Sequence, residues 1–400
     1  MPVNTQAALV ALRGLPLILR LSGSPKLKML LTILPAVFKY ASLLLLLLNI
    51  RSVPLAWHAR VFRPLVALQW RYYWLRLRII FKSRKQKELA VGQWFEELLP
   101  VGLSPFDSLL SYKTRATLDD SDFNGHLSNS SYAKTYDLAR MKTALAYFPS
   151  FFRVGGWIAL GATHYHFLRE IPLLHNYEVR LRVGSWDQKW FYVVARFVTH
   201  SKPKKSHSKA SIEGKIRDGT PPTDDSLSAG STFHASLRTP ADGLETPAPT
   251  TPSGVPPSDI SAADAMKAIA AAQMVTEEPD GATVNCIAVS ELCFKHGRIT
   301  VPPSIVLASS GFSSPSPEGE MPYSHANPPP HWAEARKLVA PRASKEYVKF
   351  LRGGWRDVPE AERWWVDALS GSVEERRKVH VEEGGAMGAL RKGMQGAGSV

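Results

Sequence analysis

The stretch DDSDFNGHLSNSSYAKTYDLAR, residues 119–140, decides how the chain folds. Acids, a glycine, a histidine and asparagines crowd its first half, and apolar residues recur at helical spacing in its second. Asp, Asn, Ser and Gly favour turns and helix caps, because their side chains bond nearby backbone or, for Gly, because left-handed φ is open to them. The pattern predicts a polar turn, then a helix from about 130 to 148 that Pro149 stops. On that helix Tyr132, Tyr136, Ala139 and Thr143 fall along one side, and Leu138, Met141, Leu145 and Phe148 along another. A helix apolar over most of its circumference is one that something larger wraps.

The wrapping is readable on either side of it. Residues 109–118 (LLSYKTRATL) alternate as a strand, and three further strand patterns follow at 156–170, 176–187 and 189–200. In the second of these, Tyr177, Val179, Leu181 and Val183 alternate with Glu178, Arg180 and Arg182, as in a half-buried antiparallel strand. The short SWDQ connection implies a hairpin. Residues 201–282 are rich in Pro, Ser, Thr and Gly and hold no Trp or Tyr, which predicts a disordered insertion. Strand patterning resumes at 283–303, so the insertion interrupts one domain, 107–303. A linker is expected at 304–330 and a helical C-terminal extension at 331–400, docked on the sheet or on the membrane-proximal segment because Trp355, Trp364 and Trp365 need cover.

The formal net charge is +14, but residues 1–87 contain fifteen Lys and Arg and no Asp or Glu, so the rest is close to neutral. After the basic segment 1–28, the apolar run 29–50 is long enough to span ~30 Å of hydrocarbon as a helix, with Lys39 as its single charge. It is too long for a cleavable secretory signal and lacks a small-residue cleavage site. In 51–94, Arg and Lys interleave with Trp, Tyr, Leu and Ile, a composition suited to lying on a bilayer and unlike a nucleic-acid arm. These features predict a single-pass anchor with a cytosolic body, in the endoplasmic reticulum or alternatively a mitochondrial membrane. Cys286 and Cys293 lie on one strand, seven residues apart, and read as small core residues. His164 and His166 share a strand face without a third ligand at a recognisable spacing, so no metal is expected.

A strand, a polar turn, a wrapped helix and several antiparallel strands make an α+β hot-dog fold. DSDFNGHLSNSSY resembles the D-x-D-x-x-G-H-x-N-N-x-x-Y signature of 4-hydroxybenzoyl-CoA-thioesterase-like hot-dog proteins, with Ser128 in place of the first asparagine. YEVRLRVGSWDQKWFYVVARFVT is similar to the membrane-anchored branch exemplified by thioesterase superfamily member six. The resemblance implies acyl-CoA or a related acyl thioester as substrate, a homodimer with its pocket between subunits, and Asp122 as the catalytic acid. A carboxylate beside a helix N-terminus suits such chemistry, because the first N–H groups can hold the oxyanion while the acid attacks or activates water. Asn129 would cap the helix or orient the acyl carbonyl, His126 would act as base or support the loop, and Asp120 reads as a turn residue. Gly125 would allow a tight turn against substrate and Tyr132 would line the pocket. Arg180 and Arg182 either meet coenzyme A phosphates or form a solvated face. No cofactor is expected. The alternative is a catalytically inactive hot-dog protein that binds acyl chains or scaffolds partners at a membrane.

Overall fold

The computed structural model describes residues 25–200, 277–382 and 385–397. The basic segment expected at 1–28 and the insertion expected at 201–282 lie largely outside the described residues. The elements in chain order are α1 (Pro25–Leu48), α2 (Ala56–Arg78), α3 (Arg84–Glu97), β1 (Leu109–Arg115), α4 (Asn129–Tyr147), α5 (Pro149–Arg153) and β2 (Gly156–Phe167). There follow β3 (Asn176–Trp186), β4 (Phe191–Thr199), β5 (Thr283–His296), β6 (Ile299–Val301) and α6 (Pro303–Ser309). The tail adds α7 (Trp332–Val339), α8 (Ser344–Leu351), α9 (Trp364–Asp367), α10 (Ser372–Val381) and α11 (Ala386–Ala397).

The strands form one antiparallel sheet in the order β1-β3-β4-β5-β2, with β6 folded back on β5. Alternation sets the faces as the sequence requires: Tyr177, Val179, Leu181 and Val183 of β3 are buried against the helix side. β4 is buried almost throughout, as a central strand covered on both faces should be. The β3–β4 hairpin is closed by Asp187, whose Oδ1 accepts from the Lys189 and Trp190 N–H groups at 2.7 and 2.6 Å. The sheet curls around α4, whose Tyr132, Tyr136, Leu138, Ala139 and Thr143 are buried. This is the hot-dog arrangement.

Three expectations need correction. The linker placed at 304–330 begins inside the core: Ile305, Val306, Leu307, Ala308 and Phe312 are fully buried. Its Pro and Ser content hid a short helix whose apolar residues cap the sheet. The last residues of the insertion, from Glu277, are also ordered, with Glu277 bridging Thr283. The segment 51–94 is not simply laid on a bilayer, because α2 packs on α4 and buries Val61. Its outer face still exposes Phe62, Trp70, Tyr73 and Trp74.

The tail docks as a helical extension. Trp332, Tyr347, Leu351, Trp365, Leu369 and Val373 join the same core as the sheet, and Trp355 and Trp364 pack against it. In α1 the described apolar side chains from Ile33 to Leu48 are exposed. Among the described residues, no helix is long and apolar enough to cross a membrane. Cys286 and Cys293 are buried and unpaired, and burial pushes the Cys286 thiol up to about 12.

Candidate functional site

β1 ends by pairing Ala116 N–H with the His175 carbonyl at 2.9 Å, and a single tight turn over Leu118–Asp120 redirects the chain. Asp120 is 3 % exposed. Its Oδ2 accepts from Arg51 Nη1 and Thr117 Oγ1, both at 2.9 Å, and its Oδ1 lies 3.7 Å from Lys134 Nζ. Its backbone carbonyl accepts from Ser128 N–H at 3.0 Å. A buried acid with this many donors is a structural brace. Arg51 also donates to the Arg115 carbonyl at 2.8 Å, and Ser52 Oγ donates to Asp119 at 3.2 Å. The residues that follow α1 are thereby fastened to the motif. Arg51 and Lys134 carried no sequence signal, since 69 residues separate Arg51 from its acid.

Two residues further on, Asp122 is exposed. Its Oδ1 accepts from the N–H groups of Asn124 and His126 at 3.0 and 3.3 Å, which fixes the carboxylate without hiding it. The turn closes with Asp122 N–H on the His126 carbonyl, and Gly125 sits at φ 76°, a left-handed conformation open to glycine. A second strap runs along 170–173: Leu173 N–H bonds the Gly125 carbonyl at 2.8 Å, Leu127 N–H bonds that of Ile171 at 2.8 Å, and His126 Nε2 lies 3.0 Å from Glu170 Oε2. His126 is thus held by a carboxylate, the arrangement of a loop support.

Helix α4 starts at Asn129 with Ser128 in the N-cap position, so Asn129 is the first helical residue and not the cap. Ser128 Oγ lies 2.9 and 3.2 Å from the hydroxyls of Ser130 and Ser131. The Asn129 side chain is exposed. The N–H groups of Asn129 and Ser130 have no acceptor among the described residues, as expected at a helix start. Asp122 precedes this helix start by seven residues, so one motif holds both an exposed acid and unpaired donors.

Behind them the space between helix and sheet is filled. Tyr132 packs on Phe167 and Phe197 with ring centroids at 5.1 and 4.9 Å, and burial pushes its phenol well up, so it stays neutral. Tyr136 donates to the Val193 carbonyl at 3.0 Å. Arg180 and Arg182 are not brought to the motif, since they alternate onto the opposite face of the sheet. There Arg180 meets Glu178 and Glu278 at 3.5 and 3.9 Å and pairs with Asp280. Arg182 is exposed. His164 lies 3.4 Å from Glu291, and no group of three metal-ligating side chains occurs among the described residues. A cavity of about 1000 Å³ lies elsewhere, between α3 and α7, and no motif residue lines it.

The sheet order and the helix it wraps are those of a hot-dog fold. Residues 116–216 match the family model described as the thioesterase-like superfamily, and this part of the chain is thioesterase-like sequence. Over 198 residues the chain is 27% identical to the thioesterase poxG of Penicillium oxalicum, covering 44% of this chain and 56% of that protein. Over 89 residues it is 35% identical to protein THEM6 of Danio rerio, covering 22% of this chain and 44% of that protein. The chain thus spans about half the length of the curated relatives it matches. A solved 1,4-dihydroxy-2-naphthoyl-CoA thioesterase from Synechocystis aligns at 8% identity and TM-score 0.27, over 51% of this chain and 96% of that one.

Proposed function

We propose that this protein hydrolyses fatty acyl-CoA or related acyl thioesters at a membrane surface, as a homodimer. One observation carries the reading: an exposed carboxylate, Asp122, held by two backbone N–H groups in the turn that leads into α4. In the reaction the thioester carbonyl oxygen would accept from the unpaired Asn129 and Ser130 N–H groups, and Asp122 would attack the carbon or take a proton from water. Water adds to that carbon, or to the mixed anhydride that direct attack by Asp122 leaves; in either route the C–S bond breaks and a proton from the water ends on the departing sulfur, so coenzyme A leaves as the thiol. Asn129, one residue into the helix, would orient the acyl carbonyl. His126 and Gly125 would set the turn, and Tyr132 would close the pocket floor. Arg182 has no acidic partner among the described residues, but it lies on the sheet face away from this turn, so in one chain neither arginine meets the coenzyme A of this site.

A site open to solvent in one chain is what a pocket shared by two chains requires. β2 supports that assembly: it is a sheet edge of twelve residues that leaves Trp157, Leu160 and Phe167 exposed. Long apolar edges seek a partner strand. The exposed apolar residues of α1 and the aromatic outer face of α2 support an anchor that places the site beside the bilayer, where long acyl chains partition.

The test is coenzyme A release across acyl lengths by the full chain in nanodiscs, for wild type and Asp122→Asn. Turnover lost in the variant supports the reading. The aromatic filling between α4 and the sheet favours a second one, an acyl-binding or scaffold protein without catalysis. Equal inertness of both proteins alongside saturable acyl binding would select it. Carbonate extraction tests the anchor, and fractionation distinguishes endoplasmic reticulum from mitochondrion.

A further inference from the structure

Two parts of the proposed site hang from one residue, Asp120. Its backbone carbonyl accepts from the N–H of Ser128, the N-cap of α4, at 3.0 Å, and the chain reaches Asp122 two residues further on. Between them Ser121 pairs with Leu127 as an isolated bridge, which closes the loop that carries Asp122. A shift of Asp120 therefore reaches both the exposed acid and the helix start with its unpaired Asn129 and Ser130 N–H groups. What holds Asp120 is its buried carboxylate.

The donors to that carboxylate are unequal. Thr117 Oγ1 lies 2.9 Å from Asp120 Oδ2 and 2.5 Å from Asp119 Oδ1, and a hydroxyl has one proton to give. Lys134 Nζ stands off at 3.7 Å, beyond hydrogen-bond reach. Arg51 has no such limit. Its Nη1 carries two protons and gives one to Asp120 Oδ2 at 2.9 Å and the other to the carbonyl of Arg115, the last residue of β1, at 2.8 Å. It thereby ties the turn to the sheet. Arg51 comes just after α1 ends at Leu48, on a connection that is itself fastened. Asn49 Nδ2 donates to the Leu45 carbonyl at 2.8 Å, Ser52 N–H to the Asn49 carbonyl at 3.0 Å, and Ser52 Oγ to Asp119 at 3.2 Å. Leu55, at φ 67°, then turns the chain into α2, which packs on α4.

We propose that Arg51 is a positioning residue for thioester hydrolysis: from the exit of α1 it holds Asp120, and through Asp120 it sets the turn of Asp122 and the first N–H groups of α4. The inference rests on Asp122 as the reacting acid, and it adds the connection after α1 to the machinery of the site. A misplacement of about 1 Å at a reacting group is enough to cost up to ~100-fold in rate. Arg51 touches no substrate, so its loss should fall on kcat and spare KM.

The experiment uses the full chain in phosphatidylcholine nanodiscs. Coenzyme A release from acetyl-, octanoyl- and oleoyl-CoA gives kcat and KM, and hydrogen exchange is followed across 117–128. Arg51→Met should still melt cooperatively, since Thr117 and Lys134 continue to face Asp120. It should lower kcat by about tenfold or more while KM stays within about twofold, and it should raise exchange across 117–128 but not in β4. Arg51→Lys, whose single nitrogen can donate to both acceptors, should recover most of kcat and of the protection. Ser52→Ala should move the same readouts in the same direction by less, and it carries the test if Arg51→Met does not fold. Arg71→Met, which removes an exposed cation of α2, should leave kcat unchanged and so separates positioning from charge near the bilayer. Unchanged kcat and exchange in a folded Arg51→Met protein would overturn the proposal. So would a loss confined to KM, or an equal loss in Arg71→Met. Wild type inert on all three thioesters, with exchange still raised in Arg51→Met, would sink the thioesterase reading and leave Arg51 a brace with no part in turnover.

Discussion

Between Leu109 and Val301 the chain fills the core by alternation, each strand sending side chains inward along its length. From Pro303 to Val373 it fills the same core with short helices, each adding a small patch such as Ile305 to Ala308, or Tyr347 with Leu351. The two regions differ in what sustains them. Strands are held by their neighbours' backbone, whereas helices of seven or eight residues are marginal alone and persist because a prepared apolar surface receives them. The dependence runs both ways. Phe148, Phe191 and Phe294 pack at 5.0 to 5.9 Å, and Phe312, beyond the last strand, closes the cluster against Phe148 and Tyr147 at 6.1 and 5.5 Å. The sheet therefore needs the tail as a lid on its core.

Removing everything after Val301 should break this partnership most severely: the remainder should lose near-ultraviolet circular dichroism and cooperative urea unfolding. Phe312→Ala should cost about 3–5 kcal/mol by urea denaturation, within the range for truncating a buried aromatic. If the loss is under ~1 kcal/mol, the tail is only an appendage.

A pH titration sharpens the same point. His331 is 8 % exposed and stacks on Trp364 at 6.2 Å, and burial lowers its pKa from 6.5 to about 4 despite a hydrogen bond to the Ala308 backbone. The folded chain therefore stays unprotonated there between pH 6.5 and 4 while the unfolded chain takes up a proton. Stability should be flat above that window and fall by up to about 3 kcal/mol on descending through it. His331→Phe should remove that component of the slope.

Smaller effects fall within the motif. Asp120→Ala should cost about 2 kcal/mol, since it strands Arg51 and Thr117, and hydrogen exchange should rise across 117–128. Asp122→Asn should change stability by less than about 0.5 kcal/mol, because its side chain is exposed. Turnover in that variant should nevertheless drop by about a hundredfold or more if the proposed reaction is right. A stability loss as large as that of Asp120→Ala would make both acids braces.

Much of the sheet was legible because period-two alternation in Tyr177 to Val183 encodes both strand and face. The helix was legible because Tyr132, Tyr136 and Ala139 repeat at helical spacing. What lay hidden depends on partners distant in sequence. Arg51 reads as one more juxtamembrane cation until Asp120 is seen beneath it, and Arg180 reads as a solvated strand residue until Asp280 returns beside it. Composition misled at 303–312, where Pro and Ser diluted an apolar run that ends in the core. The turn itself was readable as a turn, but not the division of labour between its buried and exposed acids, which burial alone decides.

β4 and β5 pair Thr199 with Thr283, so the chain leaves the sheet and re-enters it at adjacent positions about 5 Å apart. For a connection whose ends lie this close, loop-closure entropy rises only with the logarithm of length, about 0.6 kcal/mol per doubling. Extra length at this point therefore costs the sheet little, and a guest domain with neighbouring termini would be accommodated there provided Glu278 and Asp280, the partners of Arg196 and Arg180, are kept.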